Sequence, residues 1–389
     1  MVLAYAGLLL AQNTRSLDSA WKLAANGQRD QAVGVLEALI RENPRDADAR
    51  LLLGSLLMEA GKQSESLAQL TEAVKLRPRS AEAQNALGEA YSSFGHFKAA
   101  REPLERAVAI KPDFGVAQMN LGEVLLDSGE LDASAKHLDR ATKLLGRSDD
   151  CAQAHYWRAK VYVARNDSSE AAEELQKAIA IRPDFPQAWS DLGEARKTLL
   201  DDAGALSAFQ RAVELAPNDS VAQYRLGAEY LDSDKPREAV EHLEQAYRLK
   251  ADDQSTLNAL QKALRQDGRN QEADAVKQQL SEFLKKRDED NQNAVKAAAL
   301  NNEGARLQKA GDLRGALTSY GAAVELAPQS LTMRVNYAVA LLRLGRWSEG
   351  LNELHTALLM DPANATTQEA FKEALSQAPA GTVPHWDRR

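Results

Sequence analysis

Acidic residues stand side by side at several places in the sequence, and such carboxylate groups are candidates for general acid–base chemistry. Examples are Asp149-Asp150, Asp201-Asp202, Asp252-Asp253 and Asp288-Glu289-Asp290. The first three are predicted to lie in loops or at helix starts, where a carboxylate interacts favourably with the helix dipole and stays solvated. A general acid needs a partly buried carboxyl group with a raised pKa. The sequence predicts no carboxyl group of that kind.

The six histidines and the one cysteine form no pattern that is typical of a metal site or a nucleophile. The histidines are His96, His137, His155, His242, His355 and His385. No two of them are three or four residues apart, the spacing that would place two ligands on one helix face. Cys151 cannot form an intramolecular disulfide, and the charges of Asp149 and Asp150 should raise the pKa of its thiol. We therefore predict neither a metal site nor a catalytic cysteine.

Motifs of known catalytic mechanisms are missing from the sequence. It contains no phosphate-binding glycine loop, no G-x-S-x-G and no H-E-x-x-H, so we predict that the chain is not an enzyme and needs no cofactor. Its formal net charge of −8 argues against nucleic acid as a partner. The short basic run 285–287 is followed at once by three acidic residues. A hydrophobic content of 44% and a charged content of 27% are typical of a folded protein.

Prolines recur at intervals of 34 residues, and a fixed period of this kind indicates a repeat architecture. The prolines spaced in this way are Pro44, Pro78 and Pro112, then Pro183 and Pro217, then Pro328 and Pro362. With the proline as position 32, ten repeats follow, which begin at Asn13, Ala47, Ala81, Gly115, Ala152, Pro186, Ser220, Gln254, Ala297 and Leu331. Position 8 is then small in nine repeats and position 20 in all ten.

Each of these columns has a physical reason. Small residues at positions 8 and 20 let the two helices of a repeat approach closely, and alanine at position 27 does the same towards the next repeat. Glycine at position 15 supplies the left-handed backbone that ends the first helix. Proline at position 32 ends the second helix, because the residue before a proline is pushed out of the helical region.

This pattern resembles the tetratricopeptide repeat, which has a large residue at position 4, Leu-Gly at 7 and 8, Tyr at 11, Ala at 20 and 27, and Pro at 32. The repeat that matches best contains Trp189, Leu192, Gly193, Ala205, Phe209, Ala212 and Pro217. The resemblance covers residues 13–364, with departures such as Gln261 at position 8 and Lys285 at position 32. It implies an all-α fold, a right-handed superhelical solenoid of helix-turn-helix repeats, and a protein or peptide as partner.

The repeats divide the chain into six predicted segments. They are an apolar N-terminal segment (1–12), a block of eight repeats (13–287), a helical linker that offsets the next block (288–296), a block of two repeats (297–364), a capping helix (365–376) and a disordered tail (377–389). Three extra residues near 147–151 should alter one loop. Residues 270–307 are predicted to form either one long helix or two abutting helices.

The N-terminal segment 1–12 has two alternative interpretations. It is too short to span a bilayer, but it could be the apolar core of a secretory signal. No Lys or Arg precedes it, and its only A-x-A, at 4–6, lies too early for cleavage. The alternative is a first helix that packs on the end of the array. Because Val2 to Leu10 carries no charged residue, we expect an exported or periplasmic location rather than a cytoplasmic one.

In the tetratricopeptide repeat family, positions 2, 5, 6, 9, 12 and 13 of the first helix line the concave face. The resemblance therefore implies a partner-binding groove there. Its candidate residues are Asn85, Glu89, Asn120, Glu123, Tyr156, Lys160, Glu194, Tyr224 and Arg225. Chaperone-binding members of the family grip a C-terminal carboxylate with an asparagine at position 9. None of the ten repeats has asparagine there, so that carboxylate clamp is not expected.

Three functional hypotheses remain open. The leading one is a non-enzymatic scaffold or adaptor whose concave face binds a peptide or protein segment. The second is an accessory or regulatory fragment of a larger enzyme or of a secretion or envelope assembly. The third is self-association through the last repeat and residues 365–376. The sequence leaves the oligomeric state open.

Overall fold

A computed structural model describes residues 17–361, 364–379 and 382. The described chain is helical and has no strand, so the predicted all-α repeat fold is confirmed. The helices are α1 (residues 17–25), α2 (Arg29–Glu42), α3 (Ala47–Glu59), α4 (Gln63–Leu76), α5 (Ala81–Ser93), α6 (Phe97–Ile110), α7 (Gly115–Asp127), α8 (Leu131–Leu144), α9 (Asp149–Ala164), α10 (Ser168–Ile181), α11 (Pro186–Thr198), α12 (Asp202–Leu215), α13 (Ser220–Asp232), α14 (Pro236–Leu249), α15 (Gln254–Gln266), α16 (Asn270–Lys309), α17 (Leu313–Leu326), α18 (Leu331–Arg343), α19 (Trp347–Met360) and α20 (Ala365–Gln377). The predicted segment 1–12 lies outside the described residues. None of the described helices combines the length and the apolar character that a membrane span needs.

The two helices of a repeat pack through the small column at position 8. A Cβ atom added to Gly54 would lie 2.5 Å from the Cγ atom of Leu70, and one added to Gly122 would lie 2.5 Å from the Cγ atom of Leu138. Both contacts are far inside van der Waals distance, so a larger residue would force the helices apart. Leu70 and Leu138 are completely buried, and this tight packing forms the core of each repeat.

Glycine at position 15 ends the first helix in most repeats. Seven glycines at this position have a positive φ: Gly27, Gly61, Gly95, Gly129, Gly268, Gly311 and Gly345. Asn166 and Asp234 occupy the same position, and both residue types tolerate the left-handed conformation. Leu200 is the exception, with a φ of 61° and a side chain that is 87% exposed.

The side chain at position 4 links successive repeats, because it donates a hydrogen bond to the proline carbonyl of the preceding repeat. The Nε2 group of Gln84 donates to the carbonyl of Pro78 at 3.1 Å, and the indole Nε1 of Trp189 donates to that of Pro183 at 2.8 Å. The same bond is made by Arg50, Gln118, Gln223 and Arg334. Each bond satisfies a carbonyl at a helix end and ties a repeat to the one before it.

The three extra residues near 147–151 lengthen helix α9 and leave the preceding loop at residues 145–148, where the expected alteration is one of backbone conformation, with a positive φ of 64° at Gly146. Helix α9 has 16 residues, whereas the first helices of neighbouring repeats have 13. The hydroxyl of Ser148 caps α9 by accepting a bond from the Cys151 amide at 3.2 Å. Cys151 is buried, and burial raises the pKa of its thiol. The expected direction was right, but burial is the cause rather than the neighbouring aspartates.

The chain divides into two compact parts, Met1–Val276 and Lys277–Arg389. The dividing point lies inside α16, a single helix of 40 residues that includes the predicted linker 288–296. This agrees with the first of the two interpretations of residues 270–307. In the second part, Ala374 of α20 packs with Leu351 and Leu354 of α19. The division into six segments remains a prediction, and most of the tail 377–389 lies outside the described residues.

Candidate partner-binding surface

The first helices of successive repeats contact one another as well as their own second helices. Helix α5 contacts α3 and α7, α7 contacts α9, and α13 contacts α15, while side-chain hydrogen bonds join α9 to α11 and α11 to α13. Side chains at equivalent positions of these helices therefore form one continuous surface. We call positions 2, 5, 6, 9, 12 and 13 of α5, α7, α9, α11, α13 and α15 the inner surface. All nine predicted site residues lie on it.

A hydrogen bond between position 5 of one repeat and position 6 of the next recurs along this surface. At the α5–α7 step it is neutral, since the Nδ2 group of Asn120 donates to Oδ1 of Asn85 at 3.0 Å. Both asparagines are buried, so they hold two repeats together instead of presenting free amides. In the second compact part, Asn336 donates to Asn301 at 2.9 Å in the same way.

Glu89 and Glu123 occupy position 9 of α5 and α7, and both are half-buried. Burial raises the pKa of Glu89, and the charges of Asp150 and Glu59 add to the effect. Burial likewise raises the pKa of Glu123 to about 7, although a hydrogen bond from Ser92 opposes the shift. Among the described residues, neither carboxyl group has a cationic partner. The expectation that no carboxyl group has a raised pKa was therefore wrong.

The charged side chains of α9, α11 and α13 are arranged differently, because they converge on Asp191. Its Oδ2 atom accepts hydrogen bonds from the Tyr156 hydroxyl and the Lys160 Nζ group, each at 3.1 Å. Its Oδ1 atom accepts one from the Arg225 guanidinium at 2.9 Å. Arg225 also bonds Ser190 at 2.7 Å and pairs with Glu194 at 3.2 Å.

The Asp191 cluster, defined as Tyr156, Lys160, Asp191, Glu194 and Arg225, brings together four of the nine predicted site residues. Asp191, at its centre, was not among them. One sequence signal could have identified Asp191. It is an acid at position 6, with one cation at position 9 of the preceding repeat and another at position 6 of the following repeat. The cluster shows that the cross-repeat bond of positions 5 and 6 can be charged as well as neutral.

Tyr156 and Tyr224 share position 5 but lie in different environments. The Tyr156 ring packs on Phe185 with 5.0 Å between centroids and on Trp157 with 5.3 Å. Burial, the charge of Asp191 and the hydrogen bond to it raise the pKa of the Tyr156 hydroxyl. Tyr224 is half-buried, and its hydroxyl has no hydrogen-bond partner among the described residues. Only Tyr224 therefore offers a free polar group to a ligand.

Tyr224 lines a cavity of about 620 Å³ between α11, α13 and α15. Two positions that carry larger side chains in most other repeats are alanine in its lining, Ala228 at position 9 and Ala259 at position 6. The remaining lining residues are Glu194, Lys197, Phe209, Arg225, Leu231, Asp232, Ser255, Asn258 and Lys262. These two alanines were the available sequence signal for an opening in the inner surface.

What the inner surface offers chemically is hydrogen bonds, ion pairs and aromatic area. Within the part of the chain that the structure describes, no three His, Cys, Asp or Glu side chains converge as a group that could hold a metal ion. The surface is continuous over six first helices, and it changes from acidic at α5 and α7 to mixed in charge at α11 to α15. Such a surface is suited to recognising a chain segment along its length.

Comparison with known proteins identifies the family. The tetratricopeptide repeat matches residues 23–90, 81–114, 119–184, 158–220, 221–253 and 307–375. The chain therefore belongs to the tetratricopeptide repeat family, as its repeat pattern predicted. Repeats of this family are generally non-catalytic modules for protein interaction, so the fold supports a role as a protein-interaction scaffold.

Individual relatives match parts of the chain. A heat-shock protein cognate co-chaperone, sgt12 of Aspergillus fumigatus, is 33% identical over 72 residues, which are 18% of this chain and 21% of the relative. The match thus spans about a fifth of that curated protein. PilF of Pseudomonas aeruginosa is 16% identical with a TM-score of 0.50, and the match covers 56% of this chain and 98% of PilF. PilW, described as a type IV pilus biogenesis factor, is 17% identical with a TM-score of 0.51, covering 55% and 98%. The last two likenesses concern the fold alone.

Proposed function

We propose that the chain is a protein-binding adaptor and that its inner surface holds an extended or helical segment of a partner protein. The observation that carries the proposal is the cavity beside the Asp191 cluster, where a free tyrosine hydroxyl and a lysine ammonium face an opening of about 620 Å³. This volume lies within the range of roughly 300–1,000 Å³ that is common for ligand pockets.

The Asp191 cluster supports the proposal by holding the floor of this surface rigid. Arg225 is fixed by Ser190, Asp191 and Glu194, so a partner would meet it in one orientation. Preorganised side chains lose less conformational entropy on binding, and this increases affinity. Rigid aromatic and arginine side chains are also the residue types that most often dominate binding energy at protein interfaces.

Cross-linked capture of partners from the native host tests the proposal. The variant Tyr156→Ala/Tyr224→Ala should reduce recovery of the specific partner at least tenfold, because it removes both aromatic side chains at position 5. Tyr247→Ala on α14 is the matched control, since Tyr247 lies on a second helix and outside the inner surface. Thermal melts followed by circular dichroism show whether each variant remains folded.

Tyr156 also packs within the fold, so the single variants Tyr224→Ala and Tyr156→Phe complete the series. Tyr224→Ala should weaken capture, whereas Tyr156→Phe keeps the ring and removes only the bond to Asp191. Partner recovery that is unchanged in the folded double variant would contradict the proposal.

A further inference from the structure

The cavity between α11, α13 and α15 contains three cationic side chains, and only one of them has no acidic partner. Lys197 pairs with Glu229 at 2.9 Å and with Asp232 at 2.6 Å. Arg225 is held by the acids of the Asp191 cluster. Lys262 of α15 is exposed, and among the described residues no carboxylate lies within ion-pair distance of it.

Further hydrogen-bond donors surround Lys262 and are also unused. Tyr224 on α13 and Ser255 and Asn258 on α15 line the same cavity and make no side-chain hydrogen bond within the described chain. The acidic lining residues Glu194 and Asp232 already accept from Arg225 and Lys197. Each of these free groups can donate a hydrogen bond, and the free charge is positive. A ligand group with acceptor atoms and a negative charge complements them.

We infer that this cavity binds the side-chain carboxylate of an Asp or Glu residue in the partner segment, with the Lys262 ammonium as its ion-pair partner and Tyr224 and Asn258 as hydrogen-bond donors. The inference rests on the proposed function, because it specifies the chemistry of a segment held on the inner surface. The two alanines, Ala228 and Ala259, provide the space that the carboxylate and its neighbouring side chain need.

The position of the carboxylate along the partner follows from the rest of the inner surface. Glu89 and Glu123 lie at the α5–α7 end without cationic partners, so they offer an acidic group no ion pair there and repel it in their ionised form. Repulsion between like charges disfavours one orientation of a bound partner, just as attraction favours the opposite orientation. The acidic residue of the partner is consequently placed at the α13–α15 end.

Selection from a phage-displayed library of random twelve-residue peptides tests the inference on the full chain. Wild type should enrich peptides with Asp or Glu at one fixed position, and Lys262→Glu should lose that preference and favour Lys or Arg there. The control Lys98→Glu makes the same charge change on α6, at an exposed lysine outside the cavity. It should enrich the same peptides as wild type.

Synthetic copies of one enriched peptide locate the carboxylate. We expect Lys262→Glu to weaken binding about tenfold, since an exposed pair contributes modestly and reversal adds repulsion. A copy with an amidated C-terminus should bind as tightly as the free acid, and a tenfold loss on amidation would contradict the assignment to a side chain. Peptides that bind wild type and Lys262→Glu equally would overturn the carboxylate inference while leaving the proposed function intact. A selection that enriches no peptide, or peptides unaffected by Tyr224→Ala, would remove the proposed function as well.

Discussion

The inner surface has two regions that use the same repeat positions in opposite ways. At α5 and α7, position 9 holds Glu89 and Glu123, and the pKa of each is raised because burial removes solvent and no cation replaces it. At α11, position 9 holds Glu194, and Arg225 of the next repeat lies 3.2 Å from its carboxylate. The neighbouring repeat, and not the repeat position, therefore decides how a side chain is stabilised.

The same contrast holds for the bond between positions 5 and 6. The α5–α7 step uses two buried amides, which join the repeats without charge. The α9–α11 and α11–α13 steps use Asp191 and Arg225, which join the repeats through charge. The stability of the α5–α7 region is therefore expected to depend on pH, and the stability of the α9–α13 region on a single cation, Arg225.

The largest expected effect is a change in pH dependence with Glu123→Gln. The folded pKa of Glu123, about 7, lies above the ordinary value of 4.5, so the folded state binds this proton more tightly. The stability from this group is present below pH 4.5 and is lost as the pH rises to about 7. Compared with wild type, the glutamine variant should be about 2–3 kcal/mol more stable at pH 8 and nearly equal at pH 4. Urea unfolding at both pH values measures the difference.

Glu194→Gln is the control for this prediction, because it makes the same change at the same repeat position beside Arg225. It should be slightly less stable than wild type at pH 8, since an ion pair is lost. If both glutamine variants shift stability in the same direction at pH 8, the two regions do not differ as described.

Arg225→Ala should leave Glu194 without its cationic partner, which is the situation of Glu89 and Glu123 in the other region. It removes the cation between Asp191 and Glu194 and should cost about 1.5–2 kcal/mol at pH 8 in urea unfolding. Arg211→Ala is the control, because Arg211 forms an exposed pair with Glu214 and should cost less than about 0.5 kcal/mol. Equal losses for the two alanine variants would show that the Asp191 cluster contributes no more than a surface pair.

The smallest effect concerns the backbone at the end of α11. Leu200→Gly should stabilise the chain by about 1 kcal/mol, because glycine adopts a φ of 61° without the steric cost that leucine pays. Asp234→Gly, at the same turn of the next repeat, should change stability by less than about 0.5 kcal/mol. Thermal melting of both variants checks the difference, and a lower midpoint for Leu200→Gly would show that the exposed leucine makes a stabilising contact.

The repeat columns made most of the fold predictable, because each depends on one local steric requirement. Gly122 must be small against Leu138, and Gly61 must adopt a left-handed backbone. The extra turn of α9 was not predictable from spacing, since three added residues fit a loop or a helix equally well until Ser148 is seen to cap the helix.

The candidate site was predictable in position but not in chemistry. The family resemblance placed Tyr156, Lys160 and Arg225 on one surface, and the structure shows that they converge on Asp191. The raised pKa of Glu123 could not be read from the sequence, because it depends on burial and on which charges of adjacent repeats face it. A repeat position fixes the direction of a side chain but not its neighbours.

The bond from position 4 to the preceding proline carbonyl also determines how the array is expected to open. It is absent at the start of α9, where His155 bonds Glu174, and at the start of α15, where position 4 is Leu257. Repeats joined without this bond lack one cross-repeat hydrogen bond, so local unfolding should begin at these two joints. In amide hydrogen exchange the helices before α9, those from α9 to α14, and α15 with the start of α16 would then behave as separate cooperative blocks. A segment lying across the inner surface from α5 to α15 would span all three blocks and slow their opening together.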